Sequence, residues 1–392
     1  MGNKKATVKT TNEVKVDKNK VDSIRLEILK KFGTNSVIMG GDHEKAKYGR
    51  ISTGSIDLDL KLGGGIPIGR MIQISGARSS GKSTVCDYIV KNAQQTSVEW
   101  IWTERKVDKG REIVQEFPRS ISGLICGYLD VEGTKTVDWT RDTIGVDTDR
   151  WLYAQPSGME ETLEMAHQMQ KDGVNLIIID SIESLETTKE YESEFGESTQ
   201  MGLKPKLLGE YCRKFTATNN KLVREGKLPC TVILINQLRE KIGAYGDPEY
   251  TPGGRAIEFY ISVDLRLRRG DWIVEGKGDN KSIVGQVIKF KTHKNKTYKQ
   301  QQTGEFDFYF DEAQEHRMGE IDNFKEIIIA GIEWGIIERA GSWMKYKGEN
   351  LAQGADNTVA YLKKNLDKFK KIKKELFDLV SAEAERITKE DE

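Results

Sequence analysis

The sequence is poor in the residues that mark secreted, zinc-bound or membrane-spanning proteins. It has four histidines and four scattered cysteines, with no Cys-x-x-Cys pair, so neither a disulfide framework nor a zinc site is indicated. No apolar run approaches the length of a membrane span, and the first residues lack the apolar core of a signal peptide. These absences predict a reduced, cytoplasmic protein without membrane contact.

An excess of charge is lacking as well. Basic and acidic residues number 61 each, whereas a protein that coats nucleic acid with its whole surface is usually basic. Any nucleic-acid binding must therefore come from local patches. The length of 392 residues, with 37% hydrophobic and 31% charged residues, suits a large globular domain with one or two small ones.

One stretch matches a complete phosphate-binding pattern, G-x-x-x-x-G-K-[ST], between an apolar run and a predicted helix. Its glycines let backbone N–H groups curl around phosphate oxygens at the start of that helix. Lys82 would reach the β- and γ-phosphates, and the Ser83 hydroxyl would coordinate Mg²⁺. The predicted nucleotide-binding residues are Gly76, Ala77, Arg78, Ser79, Ser80, Gly81, Lys82, Ser83 and Thr84.

A second stretch predicts the acid that accompanies such a loop. The segment 174–180 is a continuous apolar run that ends in Asp180, as expected of a central parallel strand. A carboxylate at the carboxyl end of that strand lies beside the phosphate loop, where it can hold the water shell of Mg²⁺. Ser83 and Asp180 are therefore the predicted metal-site residues, with Asp180 acting through water.

The run ISTGSIDLDLKLGGGIPIGRMIQISGARSSGKS, residues 51–83, resembles the start of the ATPase core of the bacterial RecA recombinase family. The resemblance continues in order from about Val21 to about Val380. It implies an α/β fold: a RecA-type P-loop ATPase core with a mostly parallel twisted sheet flanked by helices. It also implies an N-terminal oligomerisation helix and a small α+β C-terminal domain.

The resemblance assigns roles around the nucleotide. It implies that Glu132 orients the attacking water, that Gln237 senses the γ-phosphate and that Trp139 stacks on adenine. It also implies that Lys294 and Lys296 reach the ATP of the adjacent subunit. From the residues alone, Trp139 could equally be a core side chain, and the two lysines could form a solvated basic edge or contact nucleic-acid phosphates.

Two loops, about 190–206 and 238–256, are expected to contact DNA. Apolar residues beside basic ones suit single strands that are held open without sequence preference, although Met201 or Ile242 alone could be a buried loop anchor. Lys206, Pro252 and Arg255 depart from the family's usual residues. The predicted DNA-binding residues are Met201, Gly202, Lys206, Arg213, Arg239, Lys241, Ile242, Gly253, Gly254 and Arg255.

The expected domain organisation is described from the N-terminus to the C-terminus. It comprises a disordered basic arm (1–20), an N-terminal helix and linker (21–48), the core (49–311), the C-terminal domain (312–380) and a flexible tail (381–392). The helix carries an apolar stripe, which could pack on its own core or dock on a neighbouring subunit. Residues 94–123 interrupt the core; we predict a helix over Asp108–Phe117 and favour a surface elaboration over a partner or DNA contact.

The sequence therefore predicts a DNA-dependent ATPase of the recombinase type. It would form a helical homopolymer on single-stranded DNA, with ATP and Mg²⁺ at each subunit interface, and pair that strand with homologous double-stranded DNA in recombination and repair. The alternative is a DNA-dependent ATPase motor or hexameric helicase of the same fold, without strand exchange.

Overall fold

The computed structural model describes residues 18–38, 48–194, 202–240, 249–250, 255–276, 278–313 and 315–390. These residues form two compact units. The smaller unit comprises residues 18–38, Trp100–Arg119 and Arg224–Gly226, and the larger unit comprises the other described residues. Within the described part of the chain, no helix has the length and apolar character needed to span a bilayer.

Ten α-helices are found in the described residues. They are α1 (Lys18–Phe32), α2 (Ile56–Leu62), α3 (Lys82–Gln95), α4 (Met159–Lys171), α5 (Thr188–Glu192), α6 (Leu203–Arg224), α7 (Arg255–Tyr260), α8 (Asn323–Glu333), α9 (Ala355–Lys364) and α10 (Leu366–Glu390).

The strands of the same described segments are mostly short. They are β1 (Arg50–Ile51), β2 (Ile66–Pro67), β3 (Met71–Gly76), β4 (Ser97–Asp108), β5 (Arg111–Ser122), β6 (Cys126–Asp130), β7 (Trp151–Ala154), β8 (Leu176–Asp180), β9 (Thr231–Gln237), β10 (Arg239–Glu240), β11 (Glu249–Tyr250), β12 (Val263–Glu275), β13 (Ser282–Asn295), β14 (Thr303–Tyr309), β15 (Glu320–Ile321), β16 (Ile337–Ala340), β17 (Trp343–Tyr346) and β18 (Glu349–Gln353).

A nine-stranded sheet organises the larger unit, in the order β15-β14-β13-β12-β3-β9-β8-β6-β7. The strands from β12 to β7 run parallel, whereas β13, β14 and β15 add an antiparallel side. Every residue of β3, β6 and β8 is buried, because helices cover both faces of parallel strands. The expected mostly parallel α/β fold is confirmed.

The smaller unit contains α1, which begins at Lys18, inside the segment 1–20 that we expected to be disordered; residues 1–17 lie outside the described residues. Gly33 ends the helix at φ +89°, where its N–H donates to the Leu29 carbonyl at 2.9 Å. Arg25 donates to the Glu112 carboxylate of β5 at 2.6 Å. In the monomer, α1 therefore contacts the 94–123 segment of its own chain.

The predicted helix over Asp108–Phe117 is wrong, because β4 and β5 form a hairpin there. Lys109 (φ +48°) and Gly110 (φ +80°) lie between the two strands, and left-handed conformations at both positions suit a two-residue hairpin turn. The hairpin has aromatic contacts of its own: the Trp102 and Phe117 rings are 5.4 Å apart between centroids.

The base of the hairpin is closed by hydrogen bonds between the segments that flank it. The Gly123 N–H donates to the Thr96 carbonyl, and the Leu124 N–H donates to the Ala93 carbonyl, each at 3.0 Å. Gln94 is buried and exchanges two hydrogen bonds with the backbone of Asp147, at 2.7 and 2.8 Å. The elaboration therefore starts after Thr96, and Gln94 belongs to the core.

The C-terminal part is α+β, as expected, with the antiparallel strands β16, β17 and β18 beside α8, α9 and α10. Its core continues into the ATPase core through Ile56 and Leu60 of α2. One element differs from expectation: α10 continues to Glu390, through most of the segment 381–392 that we predicted to be a flexible tail.

Candidate functional site

The phosphate loop lies between the carboxyl end of β3 and the first turn of α3. Gly81 precedes the helix at φ +89°, and Ser79 is also left-handed at φ +59°. A Cβ at Gly76 would lie 2.4 Å from the carbonyl oxygen of Leu267 and from Ser80 Oγ. Glycine is thus required at Gly76 by close packing and at Gly81 by the left-handed backbone conformation. The loop presents the free N–H groups of α3 to an anion.

Lys82, the first residue of α3, keeps its ammonium group at the loop. Its Nζ donates to the carbonyls of Gly76 at 3.0 Å and Ala77 at 2.8 Å. Burial lowers the pKa of Lys82, while the nearby carboxylates of Asp180 and Glu132 act in the opposite direction. A cation is therefore held where the phosphates of a nucleotide would lie.

The two predicted metal-site residues are brought together. Ser83 Oγ donates to Asp180 Oδ2 at 3.0 Å, and the Tyr128 hydroxyl donates to the same oxygen at 2.6 Å. Burial raises the pKa of Asp180, although both hydrogen bonds act against that increase. A hydroxyl and a carboxylate are hard oxygen ligands that fit Mg²⁺. Among the described residues no cluster of three His, Cys, Asp or Glu side chains could hold a metal, and a Mg²⁺ ion shared with phosphates needs none.

Glu132 follows β6 and lies among polar side chains. Its Oε1 accepts hydrogen bonds from Ser181 Oγ at 2.6 Å and Ser184 Oγ at 3.1 Å. A longer contact of 3.4 Å comes from Gln237 Nε2, at the end of β9. The structure therefore joins the predicted water-orienting carboxylate to the predicted phosphate sensor. Sequence reasoning missed the two serines, because a serine after a strand has no distinctive pattern.

Trp139 is half-buried at the start of a short π-helical turn, Trp139–Ile144. The next residue, Thr140, donates its hydroxyl to Asp87 Oδ2 of α3 at 3.3 Å. The segment that carries the predicted adenine contact is therefore fixed to the helix that begins at Lys82. The stacking role stays a prediction.

Lys294 and Lys296 lie far from the phosphate loop of their own chain. Lys294 pairs with Asp264, which pairs with Gln73, whereas Gly76 pairs with Leu267 at the other end of the same ladder. At about 3.3 Å per residue, Lys294 is about 10 Å from Gly76 along the strands, and β12 separates the two strands laterally. The two lysines are thus displaced from the site in two directions.

Both ammonium groups bind the end of α7. Lys294 Nζ donates to the Glu258 carbonyl, and Lys296 Nζ donates to the Phe259 carbonyl at 2.9 Å. Burial, followed by the charge of Lys296, lowers the pKa of Lys294. Phe259 is 73% exposed, so the lysines lie beside an apolar side chain on the surface of the single chain.

Few of the predicted DNA-binding residues can be placed. Gly202 (φ +103°) precedes α6, on which Lys206 and Arg213 are exposed. Arg239 begins β10 and Arg255 begins α7, and their side chains are outside the described part. Five further residues predicted to bind DNA lie outside the described residues: Met201, Lys241, Ile242, Gly253 and Gly254.

The structure adds a basic cleft that the sequence analysis did not assemble. Its volume is about 500 Å³. On β12 and β13, Arg266 pairs with Lys291, and Arg268 pairs with Lys289, so four cations share one face. Glu305 contributes the only carboxylate to the described lining, 3.9 Å from Lys289. Alternating cations in two consecutive strands were the available signal.

Comparison with known proteins gives one consistent result. The family model described as the RecA N-terminal domain matches residues 6–110 and 112–315, and the RecA C-terminal domain matches residues 325–380. "Protein RecA" of a Nocardioides species is 36% identical over 362 residues, 91% of this chain and 90% of the relative. "Protein RecA" of Trichodesmium erythraeum is 34% identical, with coverage of 92% and 88%, and that of Frankia casuarinae is 36% identical, with 94% and 95%.

Proposed function

The chain belongs to the RecA family, and from that premise we propose that it is an ATP-dependent DNA recombinase. It would assemble into a helical filament on single-stranded DNA and exchange that strand with homologous double-stranded DNA. The structural observation that supports an ATP site shared between subunits is the position of Lys294 and Lys296, away from the phosphate loop of their own chain.

Within one subunit, the side chains that meet at the carboxyl ends of β3, β6 and β8 would bind and activate ATP. Bound ATP supplies the phosphoryl group, and Mg²⁺ neutralises part of its charge. Lys82 would donate to the phosphates, Ser83 would supply an oxygen ligand to Mg²⁺, and Asp180 would hold the ion through water. Glu132, oriented through its Oε1 contacts, would accept the proton of a water in line with the phosphoryl group.

The remaining cations of the ATP site would come from a neighbouring subunit. Lys294 and Lys296 lie on a surface that carries the exposed Phe259, and an apolar residue among cations suits a subunit contact. Across such an interface the two ammonium groups would stabilise charge on the transferring phosphoryl group, as an arginine finger does. Hydrolysis would then require assembly.

A recombinase must hold two DNA segments at once. The loops near α6 and α7 carry the predicted contacts to the first strand. We assign the second segment to the basic cleft, where Arg268 and Lys289 face the same side of the sheet as Arg266 and Lys291. Contacts from four cations to phosphates are independent of sequence and become weaker as salt rises.

Electron microscopy with single-stranded DNA and a slowly hydrolysed ATP analogue tests the proposal. We expect helical filaments, because the interface that supplies Lys294 and Lys296 is heterologous and repeats from subunit to subunit. Closed rings would contradict the filament and favour the motor or helicase alternative. Particles that stay monomeric with DNA and nucleotide would contradict both.

A further inference from the structure

A buried tyrosine binds the metal-site carboxylate from the neighbouring strand. Tyr128, in β6, has no exposed surface, and its hydroxyl donates to Asp180 Oδ2 at 2.6 Å. The same oxygen accepts a hydrogen bond from Ser83 at 3.0 Å. Outer partners of this kind fix the orientation of a metal-binding carboxylate. If Ser83 turns to a metal ion, the tyrosine remains as the partner of Oδ2.

The ring of Tyr128 is held in turn by a buried ion pair. The Lys135 ammonium lies 4.4 Å from the ring centroid and pairs with the Asp87 carboxylate of α3. The two charged side chains are only 5% and 4% exposed. Either charge would be costly to bury alone, so the two groups stay together against the ring.

The same lysine anchors the segment that carries Glu132. The carboxylate of Asp130 accepts hydrogen bonds from the backbone N–H of Gly133 at 3.0 Å and of Lys135 at 3.1 Å. Lys135 is thus fixed at its backbone by Asp130 and at its ammonium group by Asp87. In the sequence, Glu132 lies between Asp130 and Lys135. The contacts of these two residues therefore set the path of the backbone at Glu132 after β6.

We propose that Tyr128 is a positioning residue for Asp180. We also propose that the Lys135–Asp87 pair fixes the positions of Tyr128 and of the Glu132 segment relative to α3. This inference deepens the proposed ATPase function and rests on it. Packing alone does not account for the arrangement, because a buried ion pair gives little net stability compared with apolar side chains of similar volume.

Tyr128→Phe tests the first part on the full-length protein. The deciding quantity is the gain in affinity for a fluorescent ATP analogue when Mg²⁺ replaces EDTA, since this measurement does not require turnover. We expect the gain to fall about tenfold, the typical loss when an outer partner of a metal ligand is removed. Affinity in EDTA should stay at the wild-type value, because Tyr128 is not expected to contact the nucleotide.

Tyr346→Phe is the matched control, since it removes a hydroxyl that donates to the Glu375 carboxylate at 2.9 Å in the C-terminal domain. It should leave the Mg²⁺-dependent gain unchanged. An unchanged gain in Tyr128→Phe would overturn the inference. A wild-type protein that binds nucleotide with Mg²⁺ but never hydrolyses it would instead overturn the proposed function, and the affinity measurement would still decide the role of Tyr128.

The double variant Asp87→Leu/Lys135→Leu tests the second part, because it removes both charges together and leaves no unpaired one. We expect a Tm close to wild type, a lower kcat at nearly unchanged KM for ATP, and a smaller loss of the Mg²⁺-dependent gain than in Tyr128→Phe. Wild-type kcat and Mg²⁺ dependence in a folded double variant would show that the pair has no positioning role.

Discussion

Lysines lie at both ends of the strands of the nine-stranded sheet, but in different settings. At the phosphate end, Lys82 donates to carbonyls of its own loop and lies with Ser83 and Asp180 in one hydrogen-bonded group. At the lysine end, Lys294 and Lys296 donate to the last carbonyls of α7. The first set contains the residues that we propose bind a nucleotide, and the second has cations without a phosphate loop.

With the proposed roles, this difference would make hydrolysis depend on assembly. Groups that bind Mg²⁺ and orient water need fixed geometry, and adjacent strand ends provide it. A lysine that acts on the ATP of a neighbouring subunit must lie at the surface. A hydrogen bond to a carbonyl can hold its ammonium group there before the subunits assemble. The comparison therefore predicts that substitutions at either end severely reduce ATPase activity. Activity should return only when an intact phosphate end and an intact lysine end come from different chains.

The largest effect is expected from Lys82→Ala at the phosphate end. ATP turnover should fall at least about a hundredfold, because the phosphates lose their nearest side-chain cation. Steady-state ATPase assays with single-stranded DNA measure this loss, with exposed Lys171→Ala on α4 as the control. Wild-type turnover in Lys82→Ala would remove the assignment of the phosphate loop.

Glu132→Gln separates binding from hydrolysis at the same end. The amide keeps the shape of the side chain but is a poor base, so turnover should fall about a hundredfold while ATP and DNA binding persist. Filaments in ATP should then dissociate slowly, which light scattering after dilution would follow. Normal hydrolysis in this variant would mean that another residue positions the water.

A mixture of two inactive variants tests the relation between the ends. Lys82→Ala and Lys294→Ala/Lys296→Ala should each be nearly inactive alone. In filaments mixed one to one, about a quarter of the interfaces would combine an intact phosphate end with an intact lysine end, as random order along a heterologous assembly requires. DNA-stimulated ATPase activity should recover in proportion to that fraction of interfaces.

Co-sedimentation with single-stranded DNA must first show that both variants enter the same filaments. Given that, activity no higher than the sum of the separate variants would place the lysines in the site of their own chain or on DNA. Either placement of the lysines would contradict the proposal that the two ends meet in one ATP site shared between subunits.

The smallest effect is expected from excision of the hairpin, which belongs to neither end. Replacement of residues 97–122 by two glycines should leave ATP turnover within about twofold, because a short closure of adjacent chain ends costs little. The control deletion, 94–123, also removes the Gln94 contacts to Asp147 and should lower the Tm. Insoluble protein from the shorter deletion would show that the hairpin is part of the core.

The relative positions of the residues at the phosphate end could be predicted because they are encoded locally, while their roles in nucleotide binding stay a prediction. The glycines of the loop, Lys82 and Ser83 are contiguous, and Asp180 ends a buried run whose direction the fold rules fix. The mostly parallel sheet followed from the same runs. Contacts between distant segments were not predictable: the positions of Tyr128, Lys135 and Asp87 relative to one another depend on strand order.

The hairpin was misassigned for a different reason. Charged residues are frequent over Asp108–Phe117, and charge is compatible with an exposed helix, so composition hid the two-residue turn at Lys109 and Gly110. The basic cleft was missed because only two basic residues of each strand line it, and the sequence does not show which residues of the two strands lie side by side. It becomes a site only when the ladder places Arg266 beside Lys291 and Arg268 beside Lys289.

The closed base of the hairpin also has a consequence for the history of the gene. Thr96 and Gly123 are joined by a backbone hydrogen bond, and Ala93 and Leu124 by another, so the chain leaves the core and returns to it at almost one point. A coding sequence could gain or lose the residues between them in a single event while α3 and β6 keep their places. Codons 97–122 can thus be inherited, shortened or exchanged as a cassette.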